Sequence, residues 1–266
     1  MKDDHQEAAE SISDANGTLA LVARQRGGTI WLLGLALLGW AFLAWIAFDM
    51  GSPFAQLTMP ESSRWSAANA LAVWVMWAVM MAAMMLPSAL PMILTFVEIS
   101  ARTGDRMRGR SFVAAYLAIW FAFSAGAVAL QWLLQFVGWL NPMIVSTSAL
   151  LTGALLLIAG AYQFSPLKRM CLSHCRTPMG FLLGEWRGGV GGAFRMGLRH
   201  GLFCVGCCWA LMALLFVGGV MNLAWIAALS IGVALEKMLP GGERVATALG
   251  LVLLAAGAVK LFVVWS

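Results

Sequence analysis

Charge is what this sequence lacks most. Only 11% of its 266 residues are Asp, Glu, Lys or Arg, against about 25% in an ordinary soluble domain. Hydrophobic residues make up 61% of the chain and mean hydropathy is +0.83. Long uncharged runs recur, so an ordinary soluble domain is excluded and a polytopic helical membrane protein is the natural class. Tyrosine is scarce, with two residues against thirteen tryptophans, a balance that suits the edges of a bilayer. No glycine-rich phosphate loop, Ser-His-Asp set, His-Glu-x-x-His motif or intramembrane carboxylate pair occurs, so hydrolase and NTPase chemistry find no support. The chain is not expected to be an enzyme. The net charge of +5 and pI near 9.2 would admit nucleic acid as a partner. The basic residues flank apolar runs, however, so topology accounts for them and no nucleic-acid partner is expected.

A helix needs about 20 mostly apolar residues to cross the hydrocarbon core. Seven stretches qualify, near 29–49, 70–98, 112–138, 145–164, 200–220, 222–239 and 245–264. Pro87 and Pro91 lie inside the second and predict a kink or break there. With the N-terminus inside, one face holds fifteen of the seventeen basic residues and leaves only Arg64 and Lys260 opposite. The expected architecture is therefore all-α: a transmembrane bundle of about seven spans, N-terminus cytoplasmic and C-terminus outside. Residues 1–28 are expected to form a cytoplasmic polar tail and 29–266 the membrane domain. Residues 165–199 would form its one substantial inner loop, with a short amphipathic piece that lies in the interface or re-enters the bundle. The expected location is the bacterial inner membrane, with the lipid bilayer as first partner.

Cysteine is also rare, and its distribution is telling. All five, Cys171, Cys175, Cys204, Cys207 and Cys208, fall within Pro166–Trp209, together with two of the three histidines, His174 and His200. An odd count confined to one cluster argues against an extracellular disulfide framework. On a helix, His200, Cys204 and Cys208 share a face and Cys207 lies close by, all within an arc of about 100°. Cys171 and Cys175 are likewise four apart. Thiolate and imidazole suit copper(I), zinc or iron, and not magnesium or calcium. A lone membrane cysteine is usually a small packing residue; seven such donors in one stretch favour a metal or redox role.

The second constellation is WVMWAVMMAAMMLPSALPM. Met76, Met80 and Met84 form one i, i+4 ladder, and Met81 with Met85 a second. Thioether sulfur is a neutral, soft ligand that can hold copper(I) without burying a charge. Methionine is equally a flexible filler of apolar cores, and taken alone the ladder reads better as packing. Of the few membrane-depth charges, Glu236 and Lys237 are expected as interfacial or paired residues, with Glu236 a candidate acceptor for His200.

These motifs carry a resemblance. WAVMMAAMMLPSALP, YQFSPLKRMCLSHCR and RMGLRHGLFCVGCCWALMALLFVGGVMN, continued by Glu236 and Lys237, resemble a bacterial family of uncharacterised integral membrane proteins described as predicted metal-binding. A looser likeness, in the Met80–Met84 or Met81–Met85 step, is to Ctr-type copper importers, whose Met-rich outer tail and three-span length this chain lacks. Residues and resemblance together lead to a membrane protein handling a soft metal. Copper(I) is favoured, for transport or for delivery to a metallochaperone or metalloprotein client. The methionines would offer transient sites, His200, Cys204, Cys207 and Cys208 would hold the ion, and Cys171, His174 and Cys175 would receive it. The alternatives are a thiol–disulfide electron carrier and a non-catalytic assembly subunit.

Overall fold

The computed structural model describes residues 26–60, 65–101 and 106–265. Nearly all of the expected polar tail, and Arg64 and Arg102 of the charge count, lie outside these. Among the described residues all regular structure is helical, apart from one antiparallel bridge between Leu140 and Ser146. The helices are α1 (Arg26–Phe48), α2 (Pro53–Thr58), α3 (Ala67–Ala101), α4 (Arg106–Phe136), α5 (Ala149–Gln163), α6 (Pro166–Arg176), α7 (Pro178–Glu185), α8 (Gly189–Ala213), α9 (Leu215–Gly218), α10 (Leu223–Met238) and α11 (Gly242–Trp265).

Each of the seven apolar stretches falls on a helix, but only five of these helices are long and apolar enough to cross a membrane. They are α1, α3, α4, α8 continued by α9, and α11. The fourth stretch yields α5, whose 15 residues reach that length only with α6, across a 64° bend. The cause is local. Pro166 cannot continue a helix that needs its N–H, and Ser165 caps a new one by accepting from the Leu167 amide. The sixth stretch yields α10, with 16 residues and a length of about 24 Å. It stops at Leu239, just before Pro240.

The stretch 165–199, expected as an inner loop, is mostly helix. It folds into α6, α7 and the first turns of α8, which begins at Gly189 and not near residue 200. Phe181 and Leu182 of the anticipated amphipathic piece are buried in α7, while Leu183 and Trp186 are exposed.

α3 is the central helix. It packs against α1, α2, α4, α7 and α10, and more than half of its residues are buried. Despite Pro87 and Pro91 it runs unbroken from Ala67 to Ala101. Each proline removes one backbone donor, and nearby hydroxyls bond to carbonyls of the same region. Ser88 Oγ donates to Met85 O at 3.0 Å, Thr95 Oγ1 to Pro91 O at 2.7 Å, and Tyr116 of α4 to Met85 O at 3.3 Å. Two indole N–H groups tie α3 to α4 in the apolar interior: Trp77 donates to Gln131 Oε1 at 2.9 Å and Trp74 to Phe121 O at 3.1 Å.

The tightest helix contact that matters for the site is α8 on α4. Gly197 rests on the Phe112 carbonyl, and a Cβ at Gly201 would come within 2.9 Å of the Ile119 side chain. With Ala193, these glycines form a small-residue stripe four apart that brings the two backbones together. α8 is thereby fixed with His200, Cys204, Cys207 and Cys208 turned into the core, each at most 2% exposed.

Candidate metal centre

α6 packs on α8, and α10 touches both as well as α3. Four helices thus meet around the middle turns of α8, where the sulfur atoms gather. Cys204 is the hub. Its Sγ lies 3.0 Å from Lys237 Nζ of α10 and 3.2 Å from Tyr116 Oη of α4. The Cys175 thiol of α6 interacts with those of Cys204 and Cys207. Cys208 Sγ stands 4.0 Å from Met85 Sδ of α3. Cys207 and Cys208 each donate their S–H to the Cys204 carbonyl, at 3.0 and 2.9 Å, the back-bonding that small polar side chains make within a helix. Among the described contacts the Cys204 sulfur makes no such backbone bond. It is the sulfur that faces the ammonium and the phenol.

Lys237 is the unusual member. It is 7% exposed, and its Nζ meets Cys204 Sγ, Ser88 Oγ at 3.3 Å and Met85 Sδ at 4.0 Å. Among the described residues no carboxylate pairs with it. A buried cation needs a counter-charge, and here the group placed to supply one is the Cys204 sulfur. The neighbouring acid is already engaged. Glu236 takes Lys168 Nζ at 2.6 Å on one oxygen and Gln163 Nε2 at 3.0 Å on the other, with both charged side chains almost fully buried. The expectation that Glu236 would orient His200 is therefore wrong: the acid belongs to the α5–α6–α10 junction.

His200 lies one turn before Cys204. Its ring stacks on Tyr116 and Phe112, with centroids 5.5 and 5.9 Å away, and meets the edge of Phe181. Its Nδ1 is buried without a hydrogen-bond partner. His174 is placed differently. Its Nδ1 is within hydrogen-bonding distance of Met170 O of its own helix, and its ring stacks on Phe203 at 4.3 Å. Cys171 is buried against Gly206, where a Cβ would come within 2.7 Å of its Sγ. The cluster therefore draws together Cys175, Cys204, Cys207, Cys208 and Met85, with His200 adjoining, while Cys171 and His174 pack along its flank. Met76, Met80, Met81 and Met84 are fully buried in the core of α3, with no bond to the cysteines among the described contacts. All five thiols are free. Among the described residues no three His, Cys, Asp or Glu side chains stand in an arrangement that already holds a metal ion.

Residues 74–260, most of the chain, match the model of a protein family described as PpoB2, copper chaperone. The chain belongs to this family. The match takes in α3 from Trp74 onward and every residue of the sulfur cluster with its lysine and tyrosine. No curated protein and no solved structure matches the chain significantly. A copper-related function, with a metalloprotein as client, follows from the family. The cluster's thiols and thioether are soft donors, the class that suits copper(I), zinc and iron–sulfur centres.

Sequence reasoning missed Tyr116 and Ser88, and expected Lys237 as an interfacial or paired residue without naming Cys204 as its neighbour. One signal was available for the tyrosine. The chain has only two, and both reach α8: Tyr116 at Cys204 and Tyr162 through its hydroxyl at the Gly206 carbonyl.

Proposed function

We propose that this chain is a membrane-embedded copper(I) chaperone that holds the ion on the sulfur cluster of α8 and passes it to a metalloprotein client. The observation that carries the reading is the environment of Cys204: a buried sulfur facing an ammonium and a phenol, with the Cys175 thiol reaching it from a second helix. Copper is cargo here. Copper(I) accepts two or three soft donors, so a pair of thiolates from different helices is enough to hold it. A third sulfur can enter before the first leaves. Cys175 and Cys204 are the proposed holding pair. Cys207 is the exchanging sulfur, and Cys208 with Met85 provides the approach from α3. Cys207 and Cys208 become available when their thiols rotate off the Cys204 carbonyl. His200 completes the wall of the site through its stacked ring.

Delivery is preferred to conduction because four of the five ladder methionines, Met76, Met80, Met81 and Met84, are packed in the core with no bond to the cysteines among the described contacts. The half-buried Cys175 on the short helix α6 offers the exit to a client. The five membrane-length helices, the shorter α5 and α10, and the basic residues at the start of α8 fit a bundle whose Cys175 end faces the cytoplasm, in the inner membrane of a bacterium.

The test is copper(I) retention by anaerobically purified full-length protein in competition with a chromophoric copper(I) chelator. Cys204→Ser is expected to abolish retention and Cys171→Ser to preserve it. Equal retention by Cys204→Ser and wild type would refute the assignment. The meeting of Cys175 with Cys204 and Cys207 also admits a thiol–disulfide carrier. That reading requires a reversible Cys175 disulfide, which thiol trapping under reducing and oxidising conditions would reveal.

A further inference from the structure

We infer that Lys237 is a specificity residue that makes the sulfur cluster accept a monovalent soft cation and reject a divalent one. The inference rests on the copper reading above and concerns which ion the same site takes. Lys237 Nζ stands 3.0 Å from Cys204 Sγ, 3.3 Å from Ser88 Oγ and 4.0 Å from Met85 Sδ, in a position only 7% exposed. Its ammonium stands inside the site, so its charge enters the charge balance of a complex formed there.

The arithmetic is short. Two thiolates carrying one copper(I) or silver(I) ion have a net charge of −1, and the ammonium beside them brings the total to zero. Two thiolates carrying one zinc(II) ion are already neutral, so the ammonium leaves a buried charge of +1 with nothing to offset it. Other charges near the site do not alter this balance. Glu236 and Lys168 neutralise each other at 2.6 Å, and Tyr116 and Ser88 are uncharged hydrogen-bonding partners. Zinc could regain neutrality by recruiting a third thiolate or by driving a proton off the ammonium, and each is a cost that copper(I) does not meet. A third thiolate from Cys207 or Cys208 has first to leave the helix carbonyl it bonds to and lose its proton, and among the described residues no three acidic, nitrogen or sulfur donors already stand in the tetrahedral set that zinc prefers. A net charge buried away from water is strongly unfavourable, so the lysine discriminates on charge where the sulfur donors discriminate on softness.

The same arithmetic predicts what removing the charge does. With methionine at 237 the two-thiolate site is neutral with zinc(II) and −1 with copper(I), so the preference moves toward zinc from both sides. The experiment measures silver(I), copper(I) and zinc(II) binding to the full-length protein in detergent, for wild type, Lys237→Met and Lys237→Arg. Wild type should bind the monovalent ions and leave zinc(II) largely unbound. Lys237→Met should shift the monovalent-to-divalent affinity ratio toward zinc by on the order of a hundredfold, the scale of an uncompensated buried charge. Lys237→Arg, which keeps the charge, should retain the wild-type preference. An unchanged ratio in Lys237→Met, with copper(I) still bound, overturns this inference and leaves the copper site standing. Zinc(II) binding by wild type as tight as its silver(I) binding also overturns it, without need of any variant. Failure of wild type to bind either monovalent ion removes the copper reading itself.

Discussion

Replacing Glu236 with glutamine should destabilise the protein far more than the loss of one surface ion pair. Surface pairs contribute about 0–1 kcal/mol. This pair is different: the Lys168–Glu236 distance is 2.6 Å and the two side chains are 1% and 2% exposed. Neutralising the acid strands the Lys168 ammonium in the junction of α5, α6 and α10, at a cost of about 3–5 kcal/mol. For a chain of this size that corresponds to a melting temperature lower by on the order of 10 °C. The double variant Lys168→Met with Glu236→Gln removes both charges and leaves glutamine 236 to pair with the Gln163 amide. It should recover most of the lost stability, because well-packed neutral groups often replace a buried pair without loss. Thermal unfolding of the full chain in detergent, followed by circular dichroism, reads both variants. A local readout accompanies it. Lys168 lies two turns before Cys175 on α6, so loosening the pair should speed alkylation of Cys175. A single variant that melts with wild type, or a double variant no better than the single one, would refute the assignment of this pair as the anchor of α6.

What could be read in advance was set by composition and period, and what could not was set by tertiary geometry. Runs of apolar residues located all the long helices, because crossing length and helical rise are properties of the chain itself. The i, i+4 spacing of His200, Cys204 and Cys208 placed them on one face, and that face is buried. The ends were harder. α5 starts late, at Ala149, because Ser148 caps it by accepting from the Leu151 amide, while Ser165 and Pro166 end it where the apolar run ends. α8 starts early because its first turns are helical despite their glycines, whose intrinsic helix preference is weak. The partners of the cysteines were beyond reach, since Tyr116 and Lys237 are 88 and 33 residues from Cys204. Adjacent Glu236 and Lys237 look alike in sequence as charges near a helix end. One turns to Lys168 and the other to the thiols, because successive residues on a helix point about 100° apart.

Three further outcomes follow from the geometry. A water-soluble maleimide should label Cys175 first in the native protein, with Cys171, Cys204, Cys207 and Cys208 reacting only on denaturation, since these four are at most 5% exposed; mass spectrometry of the labelled peptides checks the order. Met80→Leu is a volume-conserving core change that should cost less than about 1.5 kcal/mol and leave copper(I) retention intact, whereas Met85→Leu removes the thioether beside Cys208 and should lower it. The most informative variant is Tyr116→Phe. The phenol reaches both Met85 O and Cys204 Sγ, at 3.3 and 3.2 Å, yet it has one proton to give. If Cys204 is the thiolate of the site, the phenol must donate to sulfur, and a hydrogen bond to a charged acceptor contributes about 1.5–3 kcal/mol. Removing it should then weaken copper(I) retention by on the order of tenfold or more. If Cys204 is a thiol, it gives its own proton to the phenol and the phenol bonds to the helix carbonyl. Tyr116→Phe would in that case lower the melting temperature and leave copper(I) affinity unchanged, and that result would remove Cys204 from the centre of the site.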